Sequence, residues 1–230
     1  TGWLLAVVIG FAAMPVTGRL YWLFEDKGWI VSKVLAIAAT GFHTWFLTAI
    51  RLIPFNALTC AAVTILCAVI CFFLLRKESK EKTECFPVDR ISLIYWEELL
   101  FFLAFLMWTY LAGFRPAAYG TEKFMDYGFM EAMMRSTTLP ARDLWYSEGH
   151  INYYYGGQYF AVFLTKLSHT KVELTYNLMR TFVAGLAFAM PFSLVYQMMS
   201  DRMKGLQKSE KVIKGLPFAA GFTAGTAVSI

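Results

Sequence analysis

The sequence predicts an all-α fold, a polytopic bundle of transmembrane helices, and three observations support this. Hydrophobic residues make up 58 % of the 230 residues and the mean hydropathy is +0.50, whereas a soluble domain is typically about 45–50 % apolar. The apolar residues are grouped into long runs and are not spread at amphipathic spacing. The lysines and arginines cluster beside these runs, which is typical of a membrane protein with basic cytoplasmic loops.

The composition also bears on partners. The formal net charge is +5, but the basic residues lie where membrane topology explains them, so we expect no nucleic acid partner. The expected partner is the lipid bilayer. The four cysteines form no CxxC or Cys/His cluster, so the sequence predicts neither a metal–thiolate site nor a disulfide framework.

The apolar runs divide the chain into two parts. Residues 1–90 are predicted to form an N-terminal segment with three spans, at 1–24, 28–53 and 56–75, and a basic cytoplasmic loop at 76–90. Residues 91–230 are predicted to begin a core. Its parts are a span at 91–113, a loop at 114–170, a span at 172–199, a cytoplasmic loop at 201–214 and a truncated span at 215–230. Because no initiator methionine is present and the chain stops inside an apolar run, we expect a longer protein.

The charges predict an orientation in the cell membrane. Segments 76–90 and 201–214 each hold five lysines or arginines, whereas 114–150 holds four against five acidic residues. The positive-inside rule places the first two segments in the cytoplasm and the loop 114–170 on the extracytoplasmic face. The span 172–199 alone returns the chain to the cytoplasm, so 152–167 is expected to lie along the interface or to dip into it without crossing.

The extracytoplasmic loop carries the charged residues of a candidate site. Glu122 and Asp126 are spaced i, i+4, so both carboxylates share one helix face. Such a pair can hold a divalent cation, Mg²⁺ or Mn²⁺, or serve as a general base. Arg115 and Arg142 suit a phosphate or pyrophosphate through bidentate hydrogen bonds. The alternative is an internal salt-bridge network of these four residues that stabilises the loop.

The stretch HINYYYGGQYF, residues 150–160, suggests a second part of the site. Tyrosine joins an apolar ring to a polar hydroxyl and suits a membrane interface. The stretch is therefore either an aromatic belt or the lining of a groove where a lipid-linked substrate meets the loop. Trp145 can be interpreted equally well as a membrane anchor or as an aromatic ring on which a sugar stacks. The further residues expected to contact substrate are Asp143, Trp145, His150, Asn152, Tyr153, Tyr154 and Tyr155.

Two segments carry a resemblance to a known family. GTEKFMDYGFMEAMMRSTTLPARDLWYSEGHINYYYGGQYF, residues 120–160, resembles the signature of the YYY membrane proteins, an uncharacterised family of bacteria and archaea. PVTGRLYWLFEDKGWIVSKVLA, residues 15–36, resembles the first two spans of that family. The family is distantly similar to the GT-C glycosyltransferases, whose large first external loop contains an acidic motif and membrane-parallel helices. The layout predicted from residue 91 onward matches the start of such a GT-C-like core.

The resemblance implies a sugar transfer with inversion from a polyprenyl-phosphate-linked donor to an unidentified acceptor. Asp126 is the best match to the catalytic acid of the GT-C loop, and Glu122 is the second. Many GT-C members carry adjacent acids, whereas Tyr127 follows Asp126 here. Arg115, Arg142 or a divalent cation is then expected to stabilise the departing phosphate.

Two functions of other classes stay open. A transporter or flippase for a polar lipid or glycan needs charged residues inside several spans. Residues 28–75 offer only Lys33, His43 and Arg51, which disfavours this alternative. A non-catalytic membrane scaffold is the other, and in it Glu122 and Asp126 are expected to be held in salt bridges.

Overall fold

A computed structural model of the chain describes residues 2–78, 90–117, 120, 122–206 and 210–229, with the side chains of 74–78 and 210–214 outside the description. These ranges form the helices α1 (Gly2–Leu20), α2 (Trp29–Ala49), α3 (Ala57–Glu78), α4 (Ile91–Gly113), α5 (Lys123–Arg135), α6 (Gly156–Ser168), α7 (Val172–Gly205) and α8 (Glu210–Ser229). No strand occurs within these ranges, and one isolated antiparallel bridge joins Arg142 to His150. The predicted all-α class is confirmed.

Helices of membrane-spanning length form the bundle. Within the described ranges, α1, α2, α4 and α7 are long and apolar enough to cross a membrane. The apolar part of α3, Ala57–Phe73, is shorter, so its crossing stays a prediction. α5 and α6 have 13 residues each and are therefore about 20 Å long, less than the roughly 30 Å of a bilayer core. Both helices are thus shorter than the bilayer core, and the interfacial position of 152–167 stays a prediction.

Contacts between distant segments define the two ends of the bundle. At one end, Glu25 in the α1–α2 connection forms ion pairs with Arg90, just before α4, and Lys204, near the end of α7. At the opposite end, the Phe55 N–H between α2 and α3 donates to the Thr137 carbonyl between α5 and α6 at 2.8 Å. We call these the Glu25 end and the loop end. Which of them faces the cytoplasm stays a prediction from charge.

α6 fixes the loop end to the bundle. It contacts α1, α2, α3, α5 and α7, and its Tyr159 hydroxyl donates to the Gly41 carbonyl of α2 at 2.7 Å. Lys166 Nζ lies 4.6 Å from the centre of the Phe55 ring and donates at 2.9 Å to the Met134 carbonyl in the last turn of α5. Burial lowers the pKa of Lys166. A positive charge at a helix C-terminus stabilises it, so Lys166 orients α5 on α6.

α8 packs along α7 through two glycines one turn apart. A Cβ atom on Gly221 would lie 2.7 Å from the Phe192 carbonyl oxygen, and one on Gly225 would lie 2.7 Å from the Phe188 carbonyl oxygen. Small residues at this spacing let membrane helices approach closely. Backbone oxygens of a helix cannot move aside as the end of a flexible side chain can.

Gly221→Ala is therefore expected to lower the free energy of unfolding by about 1–3 kcal/mol, the usual effect of overpacking. The measurement is the unfolding of the full-length protein in detergent micelles. Gly215→Ala on the same helix is the matched control, because a Cβ atom there has nothing within 4 Å. Equal stability of the two variants would show that α7 and α8 do not need the close approach.

Candidate functional site

Asp126 lies on α5 where that helix meets α6. Gln158 Nε2 donates a hydrogen bond to Asp126 Oδ1 at 2.7 Å. Glu122 is the N-cap residue of α5, and its carbonyl accepts from the Asp126 N–H at 3.0 Å. We call Glu122, Asp126 and Gln158 the carboxylate site. Among the described residues neither carboxylate forms an ion pair, whereas Glu131 and Arg135 on the same helix do, at 3.7 Å.

A cleft of about 450 Å³ opens between α4 and α7 near the loop end. Its basic side chains are those of Arg115, Lys123 and Arg180, and the other walls are mostly apolar. Arg180 Nη1 donates to Asn177 Oδ1 at 3.2 Å, and Asn177 Nδ2 donates to the Pro116 carbonyl at 2.7 Å. These bonds tie α7 to the segment after α4. We call this cavity the basic cleft.

A groove of about 270 Å³ is lined almost entirely by aromatic rings. Its residues are Phe42, Trp45, Tyr153, Tyr154, Tyr155, Gly156, Tyr159 and Phe160. The centres of the Tyr153 and Tyr154 rings are 3.9 Å apart, and a hydrogen bond of 2.7 Å joins their hydroxyl groups. Trp45 Nε1 donates to the Tyr155 hydroxyl at 3.0 Å. Two of the consecutive tyrosines are thus exposed and the third ties the stretch to α2. We call this the aromatic groove.

The carboxylate site lies between the basic cleft and the aromatic groove. Lys123 of the basic cleft is one turn before Asp126 on α5. Tyr176 on α7 interacts electrostatically with both Asp126 and Arg180, which places the carboxylate near the cleft. Gln158, which donates to Asp126, is on α6 between Gly156 and Tyr159, and both of these residues line the groove. A ligand that occupies both cavities therefore passes the Asp126 carboxylate.

The electrostatics of the carboxylate site extend to the tyrosines. The hydrogen bond with Tyr153 and the nearby charges of Glu122 and Asp126 raise the pKa of Tyr154 to about 12. Tyr154 therefore keeps its proton at neutral pH and can donate a hydrogen bond to a ligand in the groove. Of the predicted site, the structure thus brings together the two carboxylates and two of the three tyrosines.

The other predicted residues of this segment shape a turn. Arg142 and His150 are joined by the isolated bridge. Asp143 Oδ1 accepts from the N–H groups of Trp145 at 2.8 Å and Tyr146 at 3.0 Å. This carboxylate therefore stabilises its own loop. No described contact joins Arg142 or Asp143 to the carboxylate site, so the pairing of Arg142 with Arg115 around one phosphate stays a prediction.

Trp145 and Asn152 lie on the open side of the loop end. Both are exposed, and the Trp145 ring contacts the ring edges of Phe124 and Phe129. The Phe129 ring also contacts Tyr153, with their centres 6.4 Å apart. Trp145 is therefore continuous with the aromatic surface that leads to the groove.

Three residues of the site were missed by the sequence reasoning. Lys123 was counted only as a charge of the loop, and Gln158 and Arg180 were not considered. Arg180 did have a signal, because it is an isolated arginine in the apolar run 172–199, and charged residues in membrane spans are usually functional. Gln158 had none, because its partner Asp126 is 32 residues away.

The carboxylate site was also predicted to hold Mg²⁺ or Mn²⁺. In the part of the chain that the structure describes, no group of three or more His, Cys, Asp or Glu side chains could hold a metal ion. Mg²⁺ is often bound by one or two carboxylates together with a substrate phosphate. Gln158 Oε1 is a buried oxygen without a hydrogen-bond partner among the described residues. A cation held by Glu122 and Asp126 together with a phosphate ligand stays a prediction.

A comparison with known families supports the membrane assignment. Residues 39–230 match the family described as "Uncharacterized membrane protein (DUF2298)". The chain belongs to this family. The DUF2298 match includes the carboxylate site, the basic cleft and the aromatic groove, and begins inside α2. No curated protein and no solved structure matches the chain. The family description gives no activity, so the resemblance to YYY membrane proteins and GT-C enzymes stays a prediction.

Proposed function

We propose that the chain is a membrane glycosyltransferase-like protein that transfers a sugar from a polyprenyl-phosphate-linked donor. The observation that supports this function best is the position of Asp126, between a cleft with three basic side chains and a groove lined by aromatic rings. A polyprenyl-phosphate-linked sugar has three parts, and each part matches one of these surfaces. Its phosphate suits the arginines and lysine, its lipid suits apolar helix walls, and its sugar suits aromatic faces.

The donor phosphate is assigned to the basic cleft. Arg115, Lys123 and Arg180 supply charge-assisted hydrogen bonds, which stabilise the negative charge of the departing polyprenyl phosphate. The apolar walls, including Trp108 and Leu111 on α4, accept the first units of the lipid. Because this cleft lies between the two helices α4 and α7, a lipid can enter it laterally from the bilayer.

Sugar transfer at this site is a displacement at the anomeric carbon. Asp126 accepts the proton of the acceptor hydroxyl while the acceptor oxygen forms a bond to that carbon. The bond between the anomeric carbon and the phosphate oxygen breaks, and polyprenyl phosphate leaves with the electron pair. Gln158 orients Asp126 through Oδ1, which leaves Oδ2 for the proton. A divalent cation held by Glu122 and Asp126 would supply further neutralisation of the phosphate charge.

The two alternative functions, a scaffold and a transporter, require different arrangements of the charged residues. A scaffold was expected to hold Glu122 and Asp126 in salt bridges, and among the described residues neither has one. A transporter was expected to bury charged residues in several spans. Lys33 on α2 and Glu97 on α4 are such residues, and they are the observation that favours a transporter as the second candidate.

The proposal is tested by Arg180→Gln in the full-length protein, reconstituted into liposomes with polyprenyl-phosphate sugars. Release of polyprenyl phosphate is measured. We expect the KM for the donor to rise about 10- to 100-fold, because one charge-assisted hydrogen bond to phosphate is lost. Arg202→Gln is the matched control, since Arg202 is exposed on the same helix at the Glu25 end. No release from any donor, or an unchanged KM in Arg180→Gln, would contradict the proposal.

A further inference from the structure

A second group of charged side chains is buried inside the bundle, near the Glu25 end. Lys33 on α2 is 0 % exposed, Glu97 on α4 is 1 % exposed and Asp26 in the α1–α2 connection is 2 % exposed. Glu98 lies beside them on α4. Ionisable groups within membrane spans are costly unless they are paired or serve a function. The proposed sugar transfer uses none of these residues.

Glu98 is fully partnered as a carboxylate. Lys33 Nζ lies 2.7 Å from Glu98 Oε2. The indole nitrogens of Trp3 and Trp29 donate to its two oxygens at 2.7 and 2.8 Å. The positive charge of Lys33 is thus balanced by Glu98, and no buried cation of the cluster is left for another carboxylate.

Glu97 has no such partners. Among the described residues, neither of its oxygens has a partner in hydrogen-bond geometry. Its polar neighbours are the Asp26 carboxylate, the Lys33 ammonium and the Ser193 hydroxyl of α7, and this hydroxyl donates to Asp26 Oδ2 at 3.4 Å. Asp26 accepts from the N–H groups of Gly28 at 3.1 Å and Trp29 at 2.7 Å, so its negative charge is partly compensated. An ionised Glu97 beside it would be an uncompensated buried charge, which proteins avoid by neutralising the group.

We infer that Glu97 and Asp26 form a buried proton-binding site, in which Glu97 carries the proton as a neutral carboxylic acid beside Asp26. A proton fits better than a metal cation, because Ca²⁺ and Mg²⁺ need about six or more oxygen ligands. The side chains of Asp26, Glu97 and Ser193 are already packed together at no more than 3 % exposure. The ionisable groups that face Glu97 are Asp26 from the connection, Lys33 from α2 and Tyr196 from α7, and Glu98, the next residue on α4, is paired with Lys33.

A cleft at the Glu25 end is lined by residues that are close to this site along the chain. The cleft has a volume of about 730 Å³, and its walls include Glu25, the neighbour of Asp26, and Leu93, one turn before Glu97. Burial raises the pKa of Glu25, but its bonds to Lys204 and Ser200 outweigh this and lower the pKa overall. Burial raises the pKa of Asp26 despite its two backbone hydrogen bonds. Glu25 at the cleft is thus an ionised carboxylate, whereas its neighbour Asp26 belongs to the pair that holds the proton.

The proton also stabilises the packing. Its loss leaves two adjacent carboxylate charges between α4, α7 and the α1–α2 connection, and like charges repel strongly at low dielectric. A group that is protonated in the folded protein stabilises it at low pH, and this contribution is lost as pH rises through deprotonation. Because unfolded carboxyl groups lose their protons above about pH 4, the stabilisation from this pair is expected to decline from about that pH upward, until the folded pair itself has lost its proton.

Infrared spectroscopy of the full-length protein in lipid tests the inference, because a protonated carboxyl group has a carbonyl stretch distinct from that of a carboxylate. The difference spectrum between wild type and Glu97→Gln at neutral pH is expected to show one protonated carboxyl. Glutamine has the shape of the neutral acid, so Glu97→Gln should fold, and its thermal stability should lose this decline with rising pH. Glu131→Gln, at an exposed ion pair, is the control and should leave the band in place.

Three results would overturn the inference. One is a wild-type spectrum at neutral pH without a protonated buried carboxyl, and this decides the question even if the variants fail to fold. Another is a band that is unchanged in Glu97→Gln. The third is a band that disappears on addition of Na⁺ or K⁺, because the site would then hold a metal cation instead of a proton. Asp26→Asn provides a second variant, and it should shift the band because it removes the adjacent carboxylate.

Discussion

Asp126→Asn is expected to lower kcat for sugar transfer by about 10²–10⁴-fold, the usual contribution of a general base. Asparagine keeps an oxygen that accepts from Gln158 Nε2, as Asp126 Oδ1 does at 2.7 Å, so the side chain should stay in place. It has no basic oxygen to take the acceptor proton. The KM for the donor should change little, because the proposed site of the donor phosphate is the basic cleft and not Asp126. Steady-state kinetics in proteoliposomes measure both values.

Glu131→Gln is the matched control for this prediction. Glu131 is on the same helix and its carboxylate is paired with the exposed Arg135, so turnover should equal that of the wild type. The side of the membrane is checked separately with Glu148→Cys in a cysteine-free background, because Glu148 is exposed in the same loop. An impermeant thiol reagent should label it from the extracytoplasmic face. Normal turnover in Asp126→Asn removes this residue from the mechanism, and labelling only from the cytoplasmic face removes the whole proposal.

The helices could be predicted from the sequence because hydropathy marks membrane spans directly. The predicted span 91–113 has the bounds of α4, and the run 28–53 contains α2. The end of α7 was not predictable in this way. The span was expected to end at residue 199, whereas the helix continues to Gly205. Hydropathy reports where lipid ends, and a helix with satisfied backbone hydrogen bonds can continue into water.

The sequence predicted only those parts of the candidate site whose residues are close together along the chain. Glu122 and Asp126 are one helical turn apart, so their spacing was visible in the sequence. Gln158 and Arg180 reach the site through the packing of α5 against α6 and α7, which no local pattern encodes. The charged cluster at the Glu25 end was missed for the same reason. Lys33 was seen as an isolated charge because its partner Glu98 is on another helix, 65 residues further along the chain.

Lys33→Met is expected to lower the free energy of unfolding by about 3–5 kcal/mol, the usual effect of removing one partner of a buried ion pair. Methionine has a similar unbranched stem, so the packing of that stem against Gly10 on α1 is largely kept. The lost group is the ammonium, 2.7 Å from Glu98 and 4.1 Å from the centre of the Trp29 ring. The measurement is unfolding of the full-length protein in detergent. Lys171→Met, at an exposed position before α7, should have almost no effect.

A double-mutant cycle separates the charge from the packing. If the instability of Lys33→Met arises from an unpaired Glu98, then Lys33→Met with Glu98→Gln removes both charges and should recover part of the loss. The two indole N–H groups of Trp3 and Trp29 still find an acceptor in the glutamine oxygen. If the double variant is instead as unstable as the sum of the single ones, the two charges contribute independently. The pair then does not hold α2 to α4, and the cluster has to be explained by the proton site alone.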